Sequence, residues 1–334
     1  MQDGMLCLSA NSSFTMKDLT FHLTALLLLL TNLSHVLAAP YWITDNIVGN
    51  DFYRAFEWEN IADPTHGRVN YVDQATSKKE NLTVASLDSF VMRTDFTTVL
   101  NATGPGRNSV RIRSVNTYTT HVAVFDVRHM PQGCGTWPAI WETKESDWPA
   151  GGEIDIVEGV NDQVPNAATL HTTAGCTMPQ SRNETGTPTQ LDCDTAVNGN
   201  AGCGVHFPTT NSYGPPFNAA GGGWFAVERT NTYINIWFWS RKDPAVPLEV
   251  KFGAALVDTS RWGLPTASFP DTSCDIPDFF QENNIIINIT LCGDWAGAVF
   301  TSDGCPGACV DYVDNNPAAF QEAYFDFAAV RVYQ

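Results

Sequence analysis

Gly151-Gly152-Glu153-Ile154-Asp155-Ile156-Val157-Glu158-Gly159-Val160-Asn161 sets three acids inside an otherwise apolar run. In an extended strand, residues two apart share a face, so Glu153 and Asp155 point one way and Ile154 and Ile156 point into a core. Glu158 breaks that alternation. At an offset of five it faces the core unless one residue bulges out. The spacing therefore predicts a β-bulge around Ile156 to Val157 that returns Glu158 to the face of the other two acids.

Other short alternating runs lie on either side: Ser109 to Ser114, His121 to Arg128, Tyr233 to Trp239, Ile285 to Thr290 and Ala328 to Tyr333. Their period of two reads as strands. Gly- and Pro-rich turns separate them, as in Gly104-Pro-Gly106, Tyr213-Gly-Pro-Pro216 and Gly221-Gly-Gly223. Few segments carry a helical period, and only residues 317 to 324, opened by Pro317, read as a short helix. The expectation is an all-β sandwich. From Pro40 onward no charge block, linker or repeat period intervenes, so one domain is expected over residues 39 to 334.

The 334 residues carry 18 Lys and Arg against 36 Asp and Glu, a formal charge of -18. Such a surface repels phosphate backbones and anionic lipid, which argues against nucleic-acid or membrane partners and favours neutral ones. Aromatic content, with 19 Phe, 9 Tyr and 10 Trp, is that of a folded chain. Lys17, the Leu26 to Leu30 run and the small residues before Pro40 form a secretory leader over residues 1 to 38, with Met16 as an alternative start. Polar residues interrupt that run before it reaches the roughly 20 residues of a membrane span.

Beyond the leader the cysteines number eight: Cys134, Cys176, Cys193, Cys203, Cys274, Cys292, Cys305 and Cys309. An even set suits disulfides in an oxidising compartment, and the close Cys305 and Cys309 suggest a local turn clip. Structural zinc gains no support, because no C-x-x-C pair occurs. Sequons at Asn81, Asn101, Asn183 and Asn288 mark candidate surface glycan sites.

Four effective strand steps put the Cα atoms of Glu153 and Glu158 about 13 Å apart. Side chains leaning inward bring their carboxyls to roughly 5 or 6 Å, the separation at which one acid serves as nucleophile and the other as acid/base. Three acids so close cannot all ionise cheaply, so one keeps a proton near neutral pH. Spacing alone also suits a solvated edge strand. Trp137, Trp141, Trp148 and Trp295, with His171 downstream of the acids, favour the catalytic reading, since pyranose C-H faces pack on indole planes. Trp42, Trp58, Trp224, Trp237 and Trp239 read instead as packing residues.

Gly133-Cys-Gly-Thr-Trp-Pro-Ala-Ile-Trp141, Gly152-Glu-Ile-Asp-Ile-Val-Glu-Gly-Val-Asn161, Leu170-His-Thr172, Asn283-Asn-Ile-Ile-Ile-Asn288 and Cys292-Gly-Asp-Trp-Ala-Gly297 together resemble glycoside hydrolase family 16, most closely its fungal laminarinases. The resemblance covers nearly all of the chain after the leader. It implies a concanavalin-like jelly roll with a concave substrate cleft. It further implies Glu153 as nucleophile, Glu158 as acid/base, Asp155 as their modulator, and Trp141, Trp148 and Trp295 at sugar subsites. His171 and Arg111 look like cleft residues, although a buried imidazole and a solvated strand arginine read as well. The extra residue in E-x-D-x-x-E is associated with laminarinase-like members, which implies a β-1,3-glucan substrate, with mixed β-1,3/1,4 linkages also open. No cofactor and no metal at the site are expected, a structural calcium ion as in some relatives is left unassigned because no fixed ligand spacing marks it, and a secreted monomer is expected. A lectin on a similar sandwich is the competing reading, but it has no need of two glutamates at glycosidase spacing. Serine hydrolases and metallopeptidases lack their G-x-S-x-G and H-E-x-x-H motifs here.

Overall fold

The computed structural model describes residues 40–334, which pack as one unit. The expected leader, the alternative start at Met16 and Cys7 lie outside the described residues. Two antiparallel sheets face each other. The first runs in the order Thr187–Pro188, Cys203–His206, Ala167–His171, Glu153–Glu158, Thr136–Thr143, Asn283–Leu291, Arg111–Tyr118 and Phe56–Trp58. The second runs Leu256–Val257, Tyr41–Ile47, Tyr324–Tyr333, His121–His129, Gly223–Arg229, Tyr233–Ser240 and Ala267–Pro270, and Phe90–Arg93 also joins Tyr324–Tyr333.

The alternation in the sequence explains how they meet. Ile140, Ile154, Ile156, Leu170 and Ile287 of the first sheet pack against Phe125, Val127, Phe225, Ile236, Phe327 and Val330 of the second, all fully buried. At about 25 cal/mol per Å² of apolar surface removed from water, this interface dominates the stability of the jelly roll. One polar pair crosses it. His121 Nε2 lies 2.9 Å from Glu142 Oε1, and both side chains are inaccessible to solvent, so each satisfies a group that burial would otherwise strand. The outer face of the second sheet carries a smaller apolar layer in which Trp224, Trp237 and Trp239 pack with Val250 and Trp262.

Those three tryptophans are packing residues as expected, and half-buried Trp58 lies against the main core. Trp42 is not. Tyr41 and Ile43 turn toward the outer layer, which leaves Trp42 on the opposite face of its strand and 63% exposed. The expected strand at Ser109 to Ser114 is broken at Val110 into Arg107–Ser109 and Arg111–Tyr118. Residues 317–320 form one 3-10 turn instead of a longer helix, preceded by a helix at Cys309–Asn315. Cysteine pairing also differs from the local clip: the bonds are Cys134–Cys305, Cys176–Cys274, Cys193–Cys203 and Cys292–Cys309. Cys305 and Cys309 thus tie their loop to two separate places in the fold, Cys134 and Cys292. Among the described residues no helix is long and apolar enough to cross a membrane.

Candidate active site

The bulge is present. Against Thr136–Thr143, Asp155 pairs with Trp141 but Val157 pairs with Ile140, so Ile156 is the extra residue. On the other side Asp155 pairs with Thr169 and Glu158 with Ala167, again one residue out of step. Parity is thereby reset, and Glu153, Asp155 and Glu158 share the outward face while Ile154, Ile156 and Val157 are fully buried. A bulge frees backbone groups from the ladder, and these need partners. Asn166 supplies them: its Nδ2 donates to the Ile156 carbonyl at 2.9 Å, and its Oδ1 accepts from Glu158 N–H at 3.1 Å.

Gly152 fixes the entry to the strand. Its φ is +74°, and a Cβ there would sit 2.5 Å from the carbonyl oxygen of Phe279. A side chain at that position is excluded by both conformation and space.

Cross-strand register then assembles the outward face. Trp141 stands opposite Asp155, Ala139 opposite Glu158 and His171 opposite Glu153. Trp137 Nε1 donates to Glu158 Oε1 at 2.8 Å, and Trp148, which follows the turn at Glu145–Asp147, donates to Glu153 Oε2. Trp295 meets Trp137 edge to face at 5.7 Å. Trp148 and Trp295 are exposed, whereas Trp137 and Trp141 are half-buried in the floor. Trp141 Nε1 donates to Asn288 Oδ1 at 2.8 Å. Asn288, expected as a surface sequon, is therefore a buried residue of this face, because it pairs with Ala139 in the sheet interior. Asn81, Asn101 and Asn183 are exposed.

Arg111 belongs to the same face but is neither solvated nor free to reach far. It is 3% exposed and bonds Glu59 at 2.7 Å and also Glu145, with its guanidinium 5.0 Å from the Trp141 ring centre. Glu59 and Glu145 gave no signal in the sequence, since their partner lies on a distant strand. His171 is a buried imidazole that also joins the acids. Its Nδ1 faces Asn200 Oδ1 at 2.9 Å and its Nε2 faces Asp155 Oδ2 at 3.4 Å.

Burial sets the protonation of this cluster. It lifts all three carboxyls above their ordinary range, Glu153 to about 7 against the pull of the Trp148 hydrogen bond and the Arg111 charge. Glu158 rises by burial too, moderated by Trp137 and by His171. Asp155 rises well above the ordinary value because burial is joined by the charges of Glu153 and Glu158 on either side. Desolvation lowers His171. Asp155 thus holds a proton while its neighbours share the remaining charge.

A β-sandwich bearing a row of acids flanked by indoles on one face is the architecture of a polysaccharide hydrolase. A family model described as the XgeA-like, catalytic GH16 domain matches residues 56–333, and the chain belongs to glycoside hydrolase family 16. Laminarinase 16A from Phanerochaete chrysosporium, solved with two β-glucans (6-O-glucosyl-laminaritriose) in donor and acceptor sites, is 63% identical with a TM-score of 0.88; the match covers 89% of this chain and 100% of that one. A probable glycosidase of Schizosaccharomyces pombe is 42% identical over 301 residues, 89% of this chain and 70% of the relative. A probable endo-1,3(4)-β-glucanase of Neosartorya fischeri is 43% identical over 304 residues, 88% of this chain but 46% of the relative, so the chain spans under half of that protein's length.

Proposed function

We propose that this chain is a secreted, retaining endo-β-1,3-glucanase of the laminarinase type, also open to mixed β-1,3/1,4-glucans. One observation carries the reading: a single bulge sets Glu153, Asp155 and Glu158 on one face, with an indole N–H on each glutamate. The β-glucans bound by the Phanerochaete laminarinase, at 63% identity, support this substrate class.

Glu153 attacks the anomeric carbon while Glu158 gives its proton to the departing glycosidic oxygen. The resulting glycosyl ester on Glu153 is then hydrolysed by a water from which Glu158 takes a proton, so configuration is retained. The Trp148 N–H and the Asp155 proton favour the ionised form of Glu153. Trp137 holds the Glu158 carboxyl toward the same side of the sheet, and burial keeps its proton available at the start of the cycle. Trp141, Trp148 and Trp295 offer aromatic surface to pyranose rings along the face, and Arg111 supports Trp141 from beside it. The leader pattern and four disulfides favour an extracellular setting, with residues 39 to 334 acting as one catalytic domain and as a monomer.

Product profiles on laminarin, lichenan and a β-1,6-glucan test the substrate. The reading expects oligosaccharides from laminarin, with slower or no release from the β-1,6-glucan; release only from the latter contradicts it.

A further inference from the structure

Beside their place in hydrolysis, three side chains of this face form a donor set of another kind. Ligand atoms of Glu153, Asp155 and His171 all lie within 4.8 Å of one another. His171 Nε2 and Asp155 Oδ2 are 3.4 Å apart. Tetrahedral zinc with bonds of about 2.0 to 2.1 Å has ligand-to-ligand edges of roughly 3.3 to 3.4 Å, so this pair already stands at the spacing of one edge. Asp155 Oδ2 is buried and makes no hydrogen bond of its own, which leaves a lone-pair-bearing oxygen aimed into the gap.

His171 is prepared in the same sense. Its Nδ1 faces the amide oxygen of Asn200, an acceptor, so the ring proton sits on Nδ1 and the Nε2 lone pair is directed at Asp155. An imidazole whose other nitrogen donates to a fixed acceptor is the usual arrangement of a metal-bound histidine. Asn200 is held in turn by a loop that the Cys193–Cys203 disulfide closes. Glu153 is tethered by Trp148 through Oε2, which leaves its other oxygen for the ion, and its half-buried position keeps one side open to solvent.

We propose that Glu153, Asp155 and His171 bind a divalent transition-metal ion, the Asp155 proton leaving to solvent as the ion enters, with Zn²⁺ the best match to one imidazole and two carboxylates, and that occupation inhibits the enzyme by engaging Glu153. The inhibitory half rests on Glu153 being the nucleophile; the binding half does not. Calorimetric titration of the full protein with ZnCl₂, in a buffer free of chelators and phosphate, tests the site. One ion per chain is expected. Glu158→Gln, which removes no ligand, should still bind one ion per chain. Asn200→Ala, on an exposed loop, should weaken binding roughly 10- to 100-fold, as loss of an outer hydrogen-bond partner does. His171→Ala should weaken it further, with melting curves checking that the variant is folded. No binding of one ion, or unchanged affinity in both Asn200→Ala and His171→Ala, overturns the site. Laminarin turnover should fall as Zn²⁺ occupancy rises and return on adding chelator. Binding with the expected variant pattern but unimpaired turnover would instead overturn inhibition and the role of Glu153, leaving the metal site standing.

Discussion

The side-chain oxygen of Asn166 accepts a hydrogen bond from the backbone N–H of Glu158 at 3.1 Å, and the same amide donates to the carbonyl of Ile156. One buried side chain thus pairs both backbone groups around the bulge that turns Glu158 outward. Asn166→Ala should cost about 2 to 6 kcal/mol, because two backbone groups lose their partners at about 1 to 3 kcal/mol each. It should also lower kcat more than it raises KM, since Glu158, the proposed acid/base, is displaced while the aromatic surface remains. Denaturant unfolding and steady-state kinetics on laminarin check both; wild-type kcat would detach the bulge from catalysis.

Glu158 and Glu153 should separate by chemical rescue. Glu158→Ala loses proton transfer, a loss of about 10²- to 10⁴-fold, yet from an aryl β-glycoside, whose phenolate leaves without a proton, it can still form the ester on Glu153, so azide should restore turnover and give a β-glycosyl azide. Glu153→Ser has no nucleophile, and azide entering the space left should give the α product. The anomer, read by NMR, distinguishes the roles; the opposite pairing exchanges them.

Protonation of the cluster has a consequence for stability. Asp155 and Glu153 have raised values in the fold, so the native state binds protons that the unfolded chain has released. Their contribution is therefore complete below the ordinary carboxylate range and is lost as pH rises, for Glu153 between its ordinary 4.5 and about 7. Asp155→Asn and Glu153→Gln should each gain Tm relative to wild type on going from pH 4 to pH 8, at roughly 2 °C per kcal/mol for a chain of this size. A constant difference across that range contradicts the raised values.

Arg111 pairs with two half-buried acids at once. Arg111→Met should cost about 1.5 to 3 kcal/mol, since Glu59 and Glu145 lose their short charge-assisted hydrogen bonds and keep only Arg113, at 3.7 and 3.5 Å. Adding Glu59→Gln and Glu145→Gln to that variant should recover most of the loss. Urea midpoints provide the comparison, and no recovery in the triple variant means that Arg111 acts by packing on Trp141 alone.

What the sequence revealed and what it hid follow from the range of the interactions. The strands at His121–His129 and Tyr233–Ser240 and the bulge at Ile156 were legible, because a period of two in an apolar run specifies which side chains face the core, and a break in parity demands a local remedy. The three acids were legible for the same reason, whereas Trp137, Trp141, Trp148 and Trp295 were legible from their neighbourhood to the acids in sequence and from the family resemblance. Asn166, Asn200, Glu59 and Glu145 were not, since each acts on a partner fixed only by tertiary packing. Asn288 is an intermediate case. Its sequon suggested a glycan, but its parity with Ile286 and Thr290 places it on the outward face of a central strand, where it meets Trp141. Disulfide pairing was hidden by the same long range: Cys134 and Cys305 are 171 residues apart in sequence.

Double displacement at the bulged strand fixes the anomer released. Proton NMR of laminarin hydrolysis in its first minutes, before mutarotation mixes the anomers, reads it directly. The new reducing ends should appear first as the β anomer, at a rate abolished by Glu153→Ser. First appearance of the α anomer would show single displacement by water and would contradict the roles given to Glu153 and Glu158.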